Sequence, residues 1–252
     1  RKKKNIAAAS REIERSQTFL KEIGEPEAKA YGSYQSILED PEVDAVYIAT
    51  PHPMHAKWCI QALRAGKHVL CEKPMTLNSG EAMVVLDEAK QAGVLFMEAF
   101  MYRCHPQTHR VVDLLRQGAI GDVRRIQAEF AFDGDHSPDS RLMDLSLGGG
   151  SILDVGCYPI SMARLIAGMT HGKPFLNPIK LQATGYLDRE TGVDSWASAL
   201  LRFPGGIIAE VFSGIKVRAR NECVITGTTG RITIRSPWFC NGETVVECFC
   251  FF

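Results

Sequence analysis

Two stretches constrain the fold more than anything else in the chain: "DAVYIAT", residues 44–50, and "KHVLC", residues 67–71. Both are apolar and rich in strand-forming residues, and a segment of helical spacing lies between them. Strands of this kind, separated by helices of roughly 10 to 15 residues, call for a parallel sheet covered on both sides. The pattern runs through the first hundred residues. A short strand is predicted at 5–9, a helix at 12–23 stopping at Gly24, and a short helix at 33–38. The strand at 44–50 is closed by Pro51, and a helix at 54–65 ends at Gly66. After the strand at 67–71 comes a helix at 78–92, with Asn78 as N-cap and Gly93 just past its end, then an apolar run at 94–97. This is a doubly wound α/β domain, whose ligands lie beyond the carboxyl ends of its strands.

The second half changes character. A helix at 109–116 ends at Gly118, and "DVRRIQAEFAF" reads as a long strand. Gly148, Gly149 and Gly150 precede a helix at 151–167. Strands follow at 179–186, 195–203, 207–213, 217–226 and 231–235, with turns "FPGG" and "GTTG". Runs of strands after a helix indicate an α+β domain with an open mixed sheet. The division falls between residues 99 and 104, giving domains 1–100 and 101–252.

Charge excludes some functions. Lys plus Arg and Asp plus Glu each number 29, so the net charge is zero, which argues against a general binder of nucleic acid or anionic membrane. The basic run Arg1-Lys2-Lys3-Lys4 reads as a solvated segment. No apolar run approaches the roughly 18 residues of a membrane helix, and no signal-peptide pattern is present. The 8 cysteines include no C-x-x-C pair and predict free thiols, no metal site and a reducing, cytoplasmic setting.

Three strand ends carry candidate ligand groups. Ser10-Arg11 follows the first strand, where a doubly wound dinucleotide fold meets the adenosine ribose. A hydroxyl beside a guanidinium suits a 2′-phosphate and so favours NADP over NAD. A plain reading of Ser10 as a helix N-cap stays open. "ATPHPMH" follows the second strong strand and offers Thr50, Pro51, His52 and His55 to the cofactor. The two histidines lack a neighbouring carboxylate to complete a metal site, so cap or loop hydrogen bonds are the alternative. "CEKP" ends the next strand with Glu72, Lys73 and Pro74. In the second half, Ser151 and Asp154 have capping-box spacing, and Asp154 and Tyr158, four apart, share a helical face. A free phenol has a pKa of about 10, and a nearby ammonium such as Lys73 would lower it. Lys73 and Tyr158 therefore make chemical sense as partners, with Asp154 beside them. Met101, Arg103 and Phe130 are weaker candidates for lining a substrate cleft.

"AGKHVLCEKPMTLN", then "FMEAFMYRCHP", then "LGGGSILDVGCY" resembles the glucose–fructose oxidoreductase, inositol dehydrogenase and MocA family. Within it the resemblance is to the dimeric dihydrodiol dehydrogenase and D-xylose dehydrogenase branch, and it runs from about Ile6 to Trp238. The resemblance implies a Rossmann domain followed by an open-faced mixed sheet that mediates homodimerisation. It also implies a nicotinamide cofactor and hydride transfer on a sugar, polyol or trans-dihydrodiol. Lys73 matches the family's E-K-P lysine, and Asp154 and Tyr158 match its D-x-G-x-[HY] pair. Ser10 and Arg11 match the adenosine-phosphate site of the NADP users. The chain departs from the pattern in three places. The strand–glycine-turn–helix unit is missing before Asn5, so the chain reads as truncated there. The closing helix is missing, so it reads as truncated at the other end too. Met101 stands where mammalian dihydrodiol enzymes carry tryptophan, which implies a different substrate pocket. A catalytically inactive, NADP-sensing or assembly protein is the rival reading; redox-assisted elimination or hydrolysis on a glycoside is a third.

Overall fold

Five short parallel strands form in the first hundred residues, but they lie in two separate sheets. β1 (Ala7–Ala9) pairs with β2 (Lys29–Tyr31); β3 (Ala45–Ile48), β4 (His68–Cys71) and β5 (Phe96–Glu98) pair in that order. The computed structural model describes residues 6–137, 139–239 and 245–251, and the chain divides into two units, Arg1–Ala99 and Phe100–Phe252. The basic run at the start and Asn5 lie outside the described residues.

Local chemistry explains the first unit's helices. In α1 (Ile13–Glu22), Ser16 and Leu20 form the buried side. In α2 (Tyr34–Glu39), the Ser33 side chain accepts from the Ser36 N–H as N-cap. α3 (His55–Arg64) buries Cys59, Ala62 and Leu63. In α4 (Ser79–Ala92), Asn78 caps the Glu81 N–H and Gly93, at φ 67°, closes the helix in the left-handed conformation that glycine adopts freely. α3 and α4 pack on one face of the three-stranded sheet, with Val69, Cys71 and Val85 in that core.

The expectation of strands buried on both faces is corrected here. Tyr47, Leu70 and Met97 point from the three-stranded sheet to the side away from α3 and α4, and all three are exposed. The reason is topological: α1 and α2 pack on β1 and β2, so among the described residues no helix covers that face. β2 had escaped prediction, being three residues long with a lysine at its start.

The second unit is one seven-stranded sheet of order β12-β11-β10-β6-β9-β8-β7. Its strands are β6 (Val123–Ala131), β7 (Lys180–Leu187), β8 (Asp194–Arg202), β9 (Ile208–Gly214), β10 (Glu222–Gly227), β11 (Gly230–Arg235) and β12 (Val246–Cys250). Among the described residues, only the β6–β9 pairing of this sheet is parallel. Alternation along β6 sets the two faces. Ile126, Ala128 and Phe130 enter the core beneath α5 (Pro106–Arg116) and α6 (Cys157–Met169), while Arg125, Gln127 and Glu129 face outward.

Two boundaries differ from the sequence reading. β10 begins at Glu222 rather than 217, after Asn221, whose side chain bonds both the N–H and the carbonyl of Ala131. The apolar tail, for which no strand was predicted, adds β12 as an edge strand on β11. The helical run Leu145–Met169 is long and apolar enough to span a bilayer by length and composition, but 61% of its apolar 18-residue window is buried within the protein, as in a core helix.

Candidate functional site

At the carboxyl ends of β3 and β4, the first unit gathers its candidate groups in tied loops. His55 is fully buried at the start of α3. Its Nδ1 lies 2.8 Å from the Pro74 carbonyl oxygen and its Nε2 2.7 Å from that of Thr50. One imidazole thus spans the two loops. The ring lies within hydrogen-bond distance of one backbone carbonyl in each loop. His52 lies beside it, ring centroids 5.7 Å apart.

Glu72 is the anchor of the E-K-P turn. Its N–H donates to the Ile48 carbonyl at 2.9 Å, continuing the β3–β4 pairing by one residue. Its carboxylate accepts from the Tyr47 hydroxyl and from the Lys73 N–H at 3.2 Å. Desolvation and the adjacent Glu72 carboxylate push the Tyr47 phenol up to about 12. The Lys73–Pro74 peptide is cis. Beyond it the Met75 N–H donates to Glu98 Oε1 at 2.9 Å, so the end of β5 holds the turn from its other side. Glu98 was missed, yet it had a signal: a carboxylate ending an apolar strand, as Glu72 does.

The Thr50 hydroxyl is buried and has no hydrogen-bond partner among the described residues. Ser10 ends β1, its N–H donating to the Tyr31 carbonyl at 3.1 Å, and Arg11 beside it is exposed. Ser10 is not the helix cap, since the N-cap position of α1 falls to Glu12.

In the second unit, residues Ile152–Gly156 form a π-helical turn leading into α6. Such wide turns recur at functional sites. Asp154 lies within it, buried, and both Nη atoms of Arg141 donate to its Oδ1 at 3.1 Å. The capping box is corrected: Ser151 has helical dihedrals and caps nothing locally. Tyr158 is 3% exposed, its ring edge-on to Phe100 and Phe130 at 5.2 Å each and 5.8 Å from Trp238. Phe130 is therefore a wall of the aromatic core around Tyr158. Arg103 stacks over Phe100 and Phe175 at 5.0 and 4.4 Å and donates to Ser161, a packing role on α6. Met101 is 54% exposed. Arg141 sits in a polar loop and carried no sequence signal.

These features coincide with a known family on both halves of the chain. Residues 1–100 match the oxidoreductase family with NAD-binding Rossmann fold, and residues 108–233 match the GFO/IDH/MocA C-terminal domain. The chain belongs to the GFO/IDH/MocA oxidoreductase family. A relative within reach of it is the trans-1,2-dihydrobenzene-1,2-diol dehydrogenase of Mus musculus, 38% identical over 92% of this chain and 67% of that protein. Another is D-xylose 1-dehydrogenase (NADP(+)) 2 of Haloferax volcanii, 39% identical over 90% of this chain and 66% of its own length. The chain thus spans about two thirds of the curated relatives it matches.

Solved structures of family members agree in fold. KijD10, a 3-ketoreductase from Actinomadura kijaniata in complex with NADP and TDP-benzene, superposes with a TM-score of 0.79 at 32% identity, over 97% of this chain and 75% of that one. The aldose-aldose oxidoreductase of Caulobacter crescentus, complexed with glycerol, gives 0.85 at 27% identity, over 97% and 72%. The Rossmann-like unit followed by a mixed, mostly antiparallel sheet is therefore the family architecture.

Proposed function

We propose that this chain is an NADP-dependent oxidoreductase that transfers hydride between the nicotinamide and a hydroxyl carbon of a sugar, polyol or trans-dihydrodiol. The observation that carries the reading is the end of β3. A buried Thr50 hydroxyl without a protein partner stands where a parallel sheet binds its ligand, between loops clamped by His55. NADP use among the relatives, the Haloferax enzyme and KijD10, supports the same choice of cofactor.

The residues that would hold the cofactor are Ser10 and Arg11 at the adenosine phosphate, with Thr50, Pro51, His52, His55, Glu72, Lys73 and Pro74 at the strand ends. The bound nicotinamide supplies the hydride acceptor or donor. The chain's own groups handle the proton. Tyr158 Oη takes the substrate hydroxyl proton, or returns it in the reverse direction. Lys73 is its proposed partner, since an ammonium beside a phenol would favour the phenolate form. Asp154, held by Arg141, accepts a hydrogen bond from a neighbouring substrate hydroxyl. Of the three weaker substrate candidates, Met101 is the one whose exposure suits contact with a substrate.

The first unit is the cofactor domain in this reading and the second the substrate and oligomerisation domain. The outward face of the seven-stranded sheet is the homodimer surface. Trp196, stacked on Tyr186 at 4.6 Å, and Leu200 expose apolar area there. Trp196→Glu converts the dimer to a monomer in sedimentation; a monomeric wild type refutes this assignment. The free cysteines suit a reducing cytoplasm.

The test of function is direct. The full chain enhances nicotinamide fluorescence when titrated with NADPH, and Thr50→Val weakens that binding by roughly fivefold, the loss of one hydrogen bond. Tyr158→Phe keeps NADPH binding and loses roughly 100-fold or more of turnover. Absence of NADPH binding by the wild-type chain refutes the reading.

A further inference from the structure

The helix bearing Asp154 and Tyr158 begins in an unusual way, and its first turn needs partners. The opening turn of a helix has N–H groups with no intrahelical acceptor, and a side chain at the N-cap usually supplies one. Ser151 cannot, because its backbone is already helical and its side chain turns elsewhere. The acceptor comes from the sheet. Asp194, at the start of β8, accepts at Oδ2 from the Ile152 N–H at 2.7 Å and from the Ser151 hydroxyl at 2.7 Å. Ser151 is fully buried, and its Oγ lies 2.9 Å from Ser213 Oγ on β9. Ser151 has one hydroxyl proton, and it is committed to Asp194. Ser213 must therefore donate to Ser151, giving a chain of bonds from Ser213 through Ser151 to Asp194.

The glycines around this chain are there for contact with it. A Cβ at Gly150 would stand 2.2 Å from Asp194 Oδ1, and Gly150 has a φ of 105° that L side chains rarely adopt. A Cβ at Gly156 would lie 3.0 Å from Ser213 Oγ. The π turn, Ile152–Gly156, is thus pinned at its first N–H by β8 and pressed against β9 at its last residue. Asp154 lies between those two points, and Tyr158 follows two residues after the second.

We propose that Asp194 is a positioning residue. Its carboxylate sets the phase of the π turn, and through it the direction of the Asp154 carboxylate and the Tyr158 phenol. The charge also suits the place, since a carboxylate at a helix N-terminus is favoured by the helix dipole. This assignment rests on the reading that Asp154 and Tyr158 carry the proton chemistry.

The experiment compares Asp194→Asn with the full wild-type chain, labelled at its tyrosines with 13C at Cζ. The Tyr158 signal is assigned from Tyr158→Phe. The variant keeps an acceptor but loses the charge that receives two donors. Expected are a shift of the Tyr158 signal with the other tyrosines unmoved, and exchange of the Ile152 amide faster by about tenfold. Turnover falls by about tenfold at an unchanged KM. Unchanged Tyr158 signal and Ile152 exchange overturn the proposal, as does an equal shift of all the tyrosines, which marks a general loss of packing. If Asp194→Asn does not fold, Ser213→Ala removes the outer donor of the same chain; it is expected to move the Tyr158 signal alone, and no movement overturns the proposal. A wild type without turnover refutes the oxidoreductase reading, while the resonance and exchange data still decide the role of Asp194.

Discussion

The two units hold their candidate residues by different means. In the first, Lys73, Thr50 and their neighbours sit on loops beyond short strands whose sheet exposes Tyr47, Leu70 and Met97 among the described residues. Those loops are tied by single side chains reaching backbone groups: His55 to two carbonyls, Glu98 to the Met75 N–H, Glu72 to the Lys73 N–H. In the second, Tyr158 is wedged among Phe100, Phe130 and Trp238 on a helix that packs on β6 and β9 of the seven-stranded sheet. Hydrogen bonds of the first kind contribute about 1 kcal/mol each. Burial of one large aromatic contributes several times that. The difference teaches that the first unit's site rests on single hydrogen bonds, whereas Tyr158 in the second is held by aromatic core packing as well.

The largest effect should therefore fall in the second unit. Trp238 is fully buried, stacks on Phe130 at 5.8 Å and donates from Nε1 to the Glu129 carbonyl at 2.8 Å. Trp238→Ala is expected to cost about 3–5 kcal/mol, measured by urea unfolding. Exchange protection in α6 should fall while that in α4 stays; parallel losses in both helices break the contrast. His55→Ala comes next, at about 1–3 kcal/mol from the lost imidazole hydrogen bonding and the carbonyls of Thr50 and Pro74 left without it. Its mark should be weaker NADPH binding with α6 protection unchanged.

A smaller effect tests the first unit by pH. The Glu42 backbone N–H, the Lys29 ammonium and the Tyr31 hydroxyl hold the Asp40 carboxyl down, at about 2. An unfolded aspartate titrates near about 3.9. The folded value is the lower one, so this stability is fully present above about pH 4 and is lost as pH falls through about 2. Acid unfolding of the first unit should flatten in Asp40→Asn; an unaltered acid limb removes Asp40 from the account. The smallest effect belongs to the half-exposed Arg125–Glu210 pair on the outward face of the second sheet, 2.8 Å apart. In a monomer Arg125→Ala should change stability by about 1 kcal/mol or less. A larger loss that depends on protein concentration would sharpen the homodimer assignment.

Much of this was legible beforehand because it depends on near neighbours. The order of strands and helices follows from hydrophobic period. Asn78 and Gly93 mark the ends of α4 by their own backbone chemistry, and the structure places them there. Glu72, Lys73 and Pro74 fall beyond β4 because an apolar strand cannot continue through them. Glu98 could have been found by the same rule. Ser151 misled for the opposite reason: its capping-box spacing is a local signal, and a distant carboxylate overrode it.

The sequence by itself determined the fold class, the two-part organisation of strands and helices, and which strand ends carry polar groups. Short-range steric and burial preferences suffice for these. Tertiary structure alone decided that the parallel strands split into two sheets and that His55 bridges Thr50 and Pro74. It alone brought Arg141 to Asp154 and Asp194 to Ser151, residues 13 and 43 positions apart. No local preference encodes such contacts. They exist only once strand pairing and helix packing have chosen which distant backbone groups and side chains become neighbours, out of reach of water.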